Sequence, residues 1–480
     1  MYNSSAVTPK MTALSRLARK GILLAVSLVI VSACSNLAGP DYERPDAPSK
    51  SSWQGSENAN SAKATIRADW WKNFGDPYLD QLIEKATANN LDMRVLAARI
   101  GVAEATISQA NAARLPTIDA ALGARFQKTE GGESTQIYSQ SQALSWELDV
   151  WGKAKKGVEA QKAEYKASEA DWRAGYLELA SNVASAYFQI RQFDEQLDRQ
   201  QRSLGENEQI LTIYQAWQKE GIAPKTRVLQ QQAEVNQLHN DLLELRRLRK
   251  LTENALATLL GVPAGDMQVP TQTLSDTVQI VNVPAGLPAD LLARRPDIIA
   301  AEYRVLQAHE LVGQARLARL PSIGLTANTG GSSLELSDLL KTWTFGLAPT
   351  ISLPIFDPNV KARIKVSKAQ TKVVEEQYRA TVVRAFEEVE NSLVNLSTRK
   401  LQQQQLLARR DKLRIVSKQV RAQLEEGMVT QLEVFESERS LLAAELALLQ
   451  NHQQILTDTV ALYKALGGGW PHEVVEQAGL

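Results

Sequence analysis

From Ile118 the apolar residues fall on every second position: Ile118, Ala120, Leu122, Ala124 and Phe126 are interleaved with Asp119, Gly123, Arg125 and Gln127. The alternation returns at Leu144, Trp146, Leu148 and Val150, at Ile323, Leu325 and Ala327, and at Trp343, Phe345, Leu347, Ile351, Leu353 and Ile355. A period of two means a strand with one apolar and one polar face. Taken singly, each segment is compatible with a half-buried strand of a soluble sandwich. Here only two such strands occur in each half of the chain, embedded in helix. A strand of about 9 to 11 residues, apolar toward lipid, polar toward a lumen and flanked by aromatics, is what a transmembrane β-barrel uses. Trp146, Trp151, Trp343, Phe345 and Phe356 suit that aromatic girdle, and Trp146, Leu148, Trp343, Phe345, Leu347 and Leu353 are the expected lipid-facing positions.

Between the strands the period becomes helical. Ala160, Ala163, Ala167, Ala170, Ala174, Leu177, Ser181, Ala184 and Phe188 step by three and four, a seam of mostly small residues that lets helix backbones approach closely. No proline falls from Lys153 to Lys219 or from Asn359 to Glu425. A helix of that span, about 67 residues, is roughly 100 Å long. Residues 88–115 and 225–260 are two shorter helical stretches, the second with its own seam at Val235, Leu238, Leu242, Leu245, Leu256 and Leu259. Laid end to end they match the long helix and can stack beside it.

The halves repeat one another. "ARLP" at Ala113–Pro116 recurs at Ala318–Pro321 with a shift of 205, and Gly221 and Gly261 match Gly427 and Gly467 with a shift of 206. One extra residue therefore lies in the second copy, between its strand end and its turn. A period this long is outside the roughly 20 to 50 residues of a solenoid unit, so the chain is read as a duplicated half-domain.

Lys10, Arg16, Arg19 and Lys20 precede the apolar run Gly21–Val31, the layout of a secretory leader, and the run is too short for a stable membrane helix. It ends in "VSAC", and Cys34 is the only cysteine among 480 residues. Such an ending resembles a bacterial lipobox, in which the thiol takes a diacylglycerol and becomes the new N-terminus, the alternative being an ordinary signal with an incidental buried cysteine; in lipoproteins Ser35 after the cysteine implies passage to the outer membrane. Removing residues 1–33 takes four basic and no acidic residues from a balance of 54 against 54, leaving 50 against 54. That charge gives no electrostatic reason to expect nucleic acid. With one cysteine there is no internal disulfide, so stability must come from packing or assembly.

Four membrane strands cannot close a barrel, which needs about eight, and an open sheet edge in lipid leaves backbone groups unpaired. The chain must oligomerise. Strand counting does not choose between two copies and three, but three also bring enough long rods for a hollow cylinder, and a conduit is the natural reading.

"GPDYERP" after Cys34, "DWWKNFGDPYLDQLI" at Asp69–Ile83, "GLPADLLARRPDIIAAE" at Gly286–Glu302 and the duplicated "ARLP" together resemble the outer-membrane efflux channels, the TolC and OprM-like factors, and within them the lipoprotein branch serving resistance-nodulation-division pumps. The "RRPD" turn is the most specific of these, having no generic structural rationale. The resemblance covers essentially the whole mature chain. It implies a mainly α protein with a membrane β-barrel: a homotrimer with a 12-stranded β-barrel continuous with a long periplasmic α-barrel, and an equatorial belt. The divisions expected are a lipoprotein signal peptide (1–33), a lipid-anchored extension and equatorial part (34–87), the first repeat (88–261), an equatorial linker (262–296), the second repeat (297–467) and a C-terminal tail (468–480). The implied partners are a periplasmic adaptor protein, an inner-membrane transporter and outer-membrane lipid in a Gram-negative envelope.

The resemblance also places the turns at Gly221 and Gly427 at the periplasmic tip, where such channels close like an iris and meet the adaptor. In the OprM-like pattern an Asp and an Arg three residues apart follow the second glycine; here Glu436 and Arg439 hold those positions, and Leu424 stands where a tyrosine often seals the iris. Glu436 and Arg439 share one helix face and near a threefold axis would form a charged ring or pair between protomers. The alternative is a solvated charge pair on a long exposed helix. The first half carries Gln230 and Ala233 instead.

Enzymatic readings fail. His239, His309, His452 and His472 lack metal-ligand spacing, "GIAPKT" lacks the second glycine of a phosphate loop, and "GGGW" lacks its lysine. No cofactor or metal is expected. Two rivals share part of the pattern: a coiled-coil envelope lipoprotein, which the amphipathic strands argue against, and a type I secretion conduit of the same architecture.

Overall fold

The computed structural model describes residues 38–53, 67–128, 130–132, 134–281, 283, 291–341 and 343–470. Cys34, the leader 1–33, residues 34–37 and 54–66 of the 34–87 extension, the start of "GLPADLL" and the end of the tail lie outside them. A 3-10 turn, Trp70–Phe74, precedes α1 (Pro77–Asn89) and α2 (Leu91–Ala112); then come β1 (Thr117–Lys128), β2 (Ser134–Leu148), α3 (Lys153–Lys219) and α4 (Lys225–Leu259). Two short turns, α5 (Leu274–Thr277) and α6 (Leu291–Arg294), lead to α7 (Pro296–Leu317), β3 (Ser322–Ser333), β4 (Thr344–Ser352), α8 (Pro358–Glu425) and α9 (Gln431–Ala465).

The duplication is written in the lengths. The helices α2 and α7 have 22 residues each, α4 and α9 have 35 each, and the long pair has 67 and 68. The one extra residue therefore lies within α8. The helix expected over 88–115 is corrected: it is broken at Asn90, whose extended ψ of 132° ends α1, and it stops at Ala112, where two tight turns form "ARLP". Asn90 accepts from the Met93 amide at 3.0 Å and so starts the next helix, which is the usual work of an Asn cap.

The chain forms two compact units. One comprises the segment up to Asp46 with Val102–Ala167 and Ala301–Tyr378; the other comprises Ala47–Gly101, Ser168–Ala300 and the chain from Arg379 on. The first contains the sheet, whose strands run antiparallel in the order β1-β2-β3-β4. Its register collects the alternating apolar positions on one face: Ile118 pairs with Leu144, Leu144 with Ala327 and Ala327 with Leu347, while Leu148 pairs with Ile323 and Ile323 with Ile351. The opposite face carries Thr117, Ser145, Thr326 and Ala348 in one row and Asp119, Ala143, Asn328 and Gly346 in the next. Trp343 and Leu353, expected within a strand, flank β4 on either side. Every residue of β1 and β4 is exposed, and among the described residues each has a neighbouring strand on one side only.

The second unit holds an aromatic core. Trp70 stacks on Tyr463 at 5.0 Å and Phe74 meets Phe188 edge-on at 5.0 Å. The alanine seam closes as its spacing requires: Ala170 and Ala184 and, beside them, Phe188 are fully buried. Asp76 caps α1 through the Tyr78 amide at 2.9 Å and accepts from the Tyr187 hydroxyl. The buried Arg191 guanidinium donates to that hydroxyl at 2.8 Å.

This unit also shows how the two shorter helices of each repeat join end to end. The Asn90 side chain donates to the Leu259 carbonyl, the end of α4, at 2.9 Å. One repeat later Arg295 does the same, donating to Ala465, the end of α9, at 2.9 Å while holding Asp297 at the start of α7. The "RRPD" motif thus has a structural reason: its second arginine splices two helices, satisfying a carbonyl that the helix end leaves orphaned. Gly261 and Gly467, at φ of 67° and 78°, turn the chain away from each splice.

Candidate functional site

The lipid-facing candidates Trp146, Leu148, Phe345 and Leu347 share the apolar face of the sheet, and Phe345 and Leu347 are 64% and 58% exposed. Trp146 donates its indole N–H to the Arg114 carbonyl at 2.9 Å, and Trp151 donates to the Pro321 carbonyl at 2.6 Å. Both copies of "ARLP" are thus acceptors for indoles at the strand ends. An aromatic ring with an apolar body and a bonded N–H suits a boundary between lipid and water. Among the described residues no helix is long and apolar enough to cross a membrane.

The turns at Gly221 and Gly427 are built alike. After α3, Gly221 adopts φ 74° and Ile222 donates back to the Trp217 carbonyl at 2.8 Å; after α8, Gly427 adopts φ 70° and Met428 donates to Gln423 at 2.9 Å. Glycine there supplies the left-handed step of a helix end. Ile222 and Met428 project with 70% and 62% of their surface free. The next helices start differently. Thr430 and Glu433 form a capping box, whereas Pro224 offers no side-chain cap.

Leu424 is half-buried, and Glu436 and Arg439 are exposed on α9. Among the described residues neither makes an ion pair within the chain. The charges that the fold does bring together are others. Arg421 of α8 bridges Glu438 of α9 at 2.6 Å and Glu206 of α3 at 2.7 Å; Arg414 and Arg199 both reach Glu445, at 3.0 and 2.9 Å. Burial alone would lower the Arg421 pKa, but the bonded Glu438 carboxylate reverses this and it is raised. The sequence does carry a signal for this lattice. Arg199 and Glu206, Arg414 and Arg421, and Glu438 and Glu445 are each seven residues apart, two turns along one helix face. Which faces meet is a tertiary fact, and sequence reasoning missed it.

Of the histidines, His239 meets Glu208 at 3.2 Å, and burial lowers the pKa of His452. His472 lies outside the described residues. Among the described residues no group of three or more His, Cys, Asp and Glu side chains could hold a metal.

A duplicated unit of two strands, one very long helix and two spliced shorter ones defines an envelope channel with a strand-built membrane segment. Residues 82–262 and, one repeat later, 287–468 both match the Outer membrane efflux protein family, and the chain belongs to that family. It is 33% identical over 473 residues to the toluene efflux pump outer membrane protein TtgC of Pseudomonas putida, covering 93% of this chain and 95% of the relative. It is 30% identical over 452 residues to the cation efflux system protein CusC of Escherichia coli, covering 92% and 96%. The crystal structure of the open MtrE outer membrane channel of Neisseria gonorrhoeae superposes with a TM-score of 0.80 at 30% identity, covering 90% of this chain and 98% of that one.

Proposed function

We propose that three copies of this chain form the outer-membrane conduit of a tripartite efflux pump, receiving small toxic compounds from a periplasmic adaptor and an inner-membrane resistance-nodulation-division transporter. The observation that carries this is the sheet: four strands, an apolar face that is exposed along β1 and β4, and outer strands each paired on one side only. In lipid such a sheet must be completed by others like it, and three copies give a barrel of twelve strands. Exposed apolar residues on α8, among them Val366, Val394 and Leu401, give the copies a helical surface to share. In this reading 88–261 and 297–467 are the barrel-and-rod repeats, residues 34–87, 262–296 and the tail form the belt, and Cys34 carries the lipid. The names of the relatives span toluene and cations, so the cargo is left at small toxic compounds. Deleting the gene is expected to sensitise the cell to at least one class in a panel of antibiotics, dyes, detergents and metal ions, and the wild-type gene should restore resistance. The Cys34→Ser variant should lose acyl labelling yet restore resistance in part, because the barrel itself anchors the protein. Unchanged susceptibility across the whole panel would count against the efflux role.

In the same reading Gly221 and Gly427 carry the adaptor-contact turns, and Leu424, Glu436 and Arg439 line the closing iris. Unpaired within one chain, Glu436 and Arg439 are available to partners across a protomer boundary. Purified Glu436→Gln and Arg439→Ala channels in planar bilayers should then open more often or more widely than wild type, since a desolvated charge that loses its partner favours moving toward water. As solvated charges they would contribute at most about 1 kcal/mol, and both variants would conduct as wild type.

A further inference from the structure

Cations gather where the strands of the first compact unit become helices. Proceeding from Asp357, the opening of α8 has Lys361, Arg363, Lys365, Lys368 and Lys372 before its first acid, Glu375. All five are exposed, and among the described residues none has an ion pair. The opening of α3 carries Lys153, Lys155 and Lys156, and again no acid stands in the first turn. Asp149 and Asp357 cap the two helix starts, accepting from the Ala154 and Lys155 amides and from the Asn359 and Val360 amides, and Lys153 and Lys156 pair with Glu147 and Glu310; Lys155 and the cations of α8 remain, against the sense of the macrodipole. Arg114 and Arg319, one from each "ARLP", add to them at the same junction.

The face these cations occupy can be read from the segment shortly after the candidate lipidation site. Residues 38–46 lie against α7: Arg316 donates to the Ala38 carbonyl at 3.3 Å, the Tyr42 ring meets His309 at 5.8 Å, and Arg44 binds Glu302. Burial, and after it the Glu302 carboxylate, push the Tyr42 phenol up to about 12, with Tyr378 and Glu375 of α8 adding to the rise. On the proposed reading of Cys34 as the lipid anchor, a chain so tethered runs over the outside of a barrel, and this face is then the outer one. On α8, Thr371 points at α7, donating to the Ala308 carbonyl at 3.4 Å. At about 100° per residue, Lys361, Lys365, Lys368 and Lys372 form one stripe a quarter-turn beyond Thr371, on the Glu375 side. The stripe therefore shares the outer face with the N-terminal segment. Lys155 does too, for Ala38, Arg114, Trp151 and Lys155 line one cavity of about 410 Å3 together with Lys156 and the carboxylates of Asp149 and Glu159, Arg114 standing 4.0 Å from Asp149. The Trp146 and Trp151 indoles, bonded to the "ARLP" carbonyls, set the lipid-water boundary at this same level.

We infer that Arg114, Lys155, Lys361 and Lys365, with Arg319, form a collar that binds the phosphates of anionic phospholipids in the periplasm-facing leaflet. The inference rests on the reading of the sheet as part of a membrane barrel. The partner follows from charge complementarity and position. The cations stand where headgroups lie, and phosphate is the anion found there. Lys368 and Lys372 stand further from the strands, about 5 and 10 Å along the helix past Lys365, and the collar is drawn to end at Lys365.

The test is lipid retention by the full-length protein. Purified channels reconstituted with equimolar phosphatidylglycerol and phosphatidylcholine are re-extracted in neutral detergent, and the bound lipids are counted by native mass spectrometry. Wild type should retain phosphatidylglycerol in large excess. Each of Lys155→Gln, Lys361→Gln and Lys365→Gln should cut that preference about fivefold, the worth of one cation near a membrane surface. Lys412→Gln, further down α8, should leave it unchanged, and rising salt should erode the wild-type preference. An undiminished preference in the triple variant, an equal loss in Lys412→Gln, or displacement by free glycerol phosphate alone would each overturn the collar. Retention of both lipids without preference overturns the collar and leaves the barrel standing. No bound lipid of either kind, in wild type, removes the membrane reading itself.

Discussion

Gly261→Ala is expected to destabilise the protein far more than the same change at Gly221. Both residues hold a left-handed backbone, with φ of 67° and 74°, and an L side chain there costs about 1 to 2 kcal/mol. The difference is what a methyl group meets. At Gly221 nothing lies within 4 Å, whereas at Gly261 the new Cβ would stand 2.5 Å from the Asn89 carbonyl oxygen. That oxygen belongs to backbone, not to a flexible side chain, so α1 or the α4–α2 splice must move. Overpacking of this kind adds about 1 to 3 kcal/mol. Gly467→Ala should be intermediate, its Cβ meeting the Arg294 backbone at 3.1 Å. Thermal melts of the three purified variants, monitored by circular dichroism at fixed detergent and protein concentration, would show the order Gly261, Gly467, Gly221. Equal shifts at Gly261 and Gly221 would mean that the splice is loose and that only backbone conformation is being read.

The splice also marks where the sequence stops being legible. Periodicity locates all four strands and both long helices, because amphipathic patterns are local and the absence of proline over some 67 residues leaves little choice. It runs α1 into α2 across Asn89 and Asn90, since Asn is compatible with a helix and only its ψ announces the break. The function of Asn90 and Arg295 depends on Leu259 and Ala465, which lie 169 and 170 residues away in the chain. No local pattern encodes that encounter. The same holds for the lattice of Arg199, Glu206, Arg414, Arg421, Glu438 and Glu445: its seven-residue spacings are written in the chain, but not the pairing of three helices that makes them meet. Trp343 and Leu353 read as strand because their parity is right. The chain keeps the alternation for a residue beyond each end of β4, where ladder bonds have already ceased.

The expected lipid boundary makes the second large prediction, on adjacent residues near the middle of β4. Leu347 lies on the apolar face opposite Ala327, and Ala348 lies on the polar face opposite Thr326. An arginine on the lipid-facing side near the bilayer midplane costs about 2 to 4 kcal/mol, so Leu347→Arg should lower the yield of folded protein in outer-membrane extracts and shift the urea midpoint down. At Ala348 an arginine points to the other side. If that side is a water-filled lumen, Ala348→Arg should fold normally and act on conduction, favouring anions over cations because three copies would each place a positive charge in the barrel. The two substitutions add the same side chain one residue apart, so propensity and size are held nearly constant and the face alone differs. Equal destabilisation at both positions would mean that both faces of the sheet are packed against protein, as in a soluble sandwich, and the conduit would lose its wall. Tolerance at both would mean that neither face meets lipid. Only the asymmetric outcome, with stability lost at Leu347 and ion selectivity changed at Ala348, is compatible with a barrel that has lipid outside and water within.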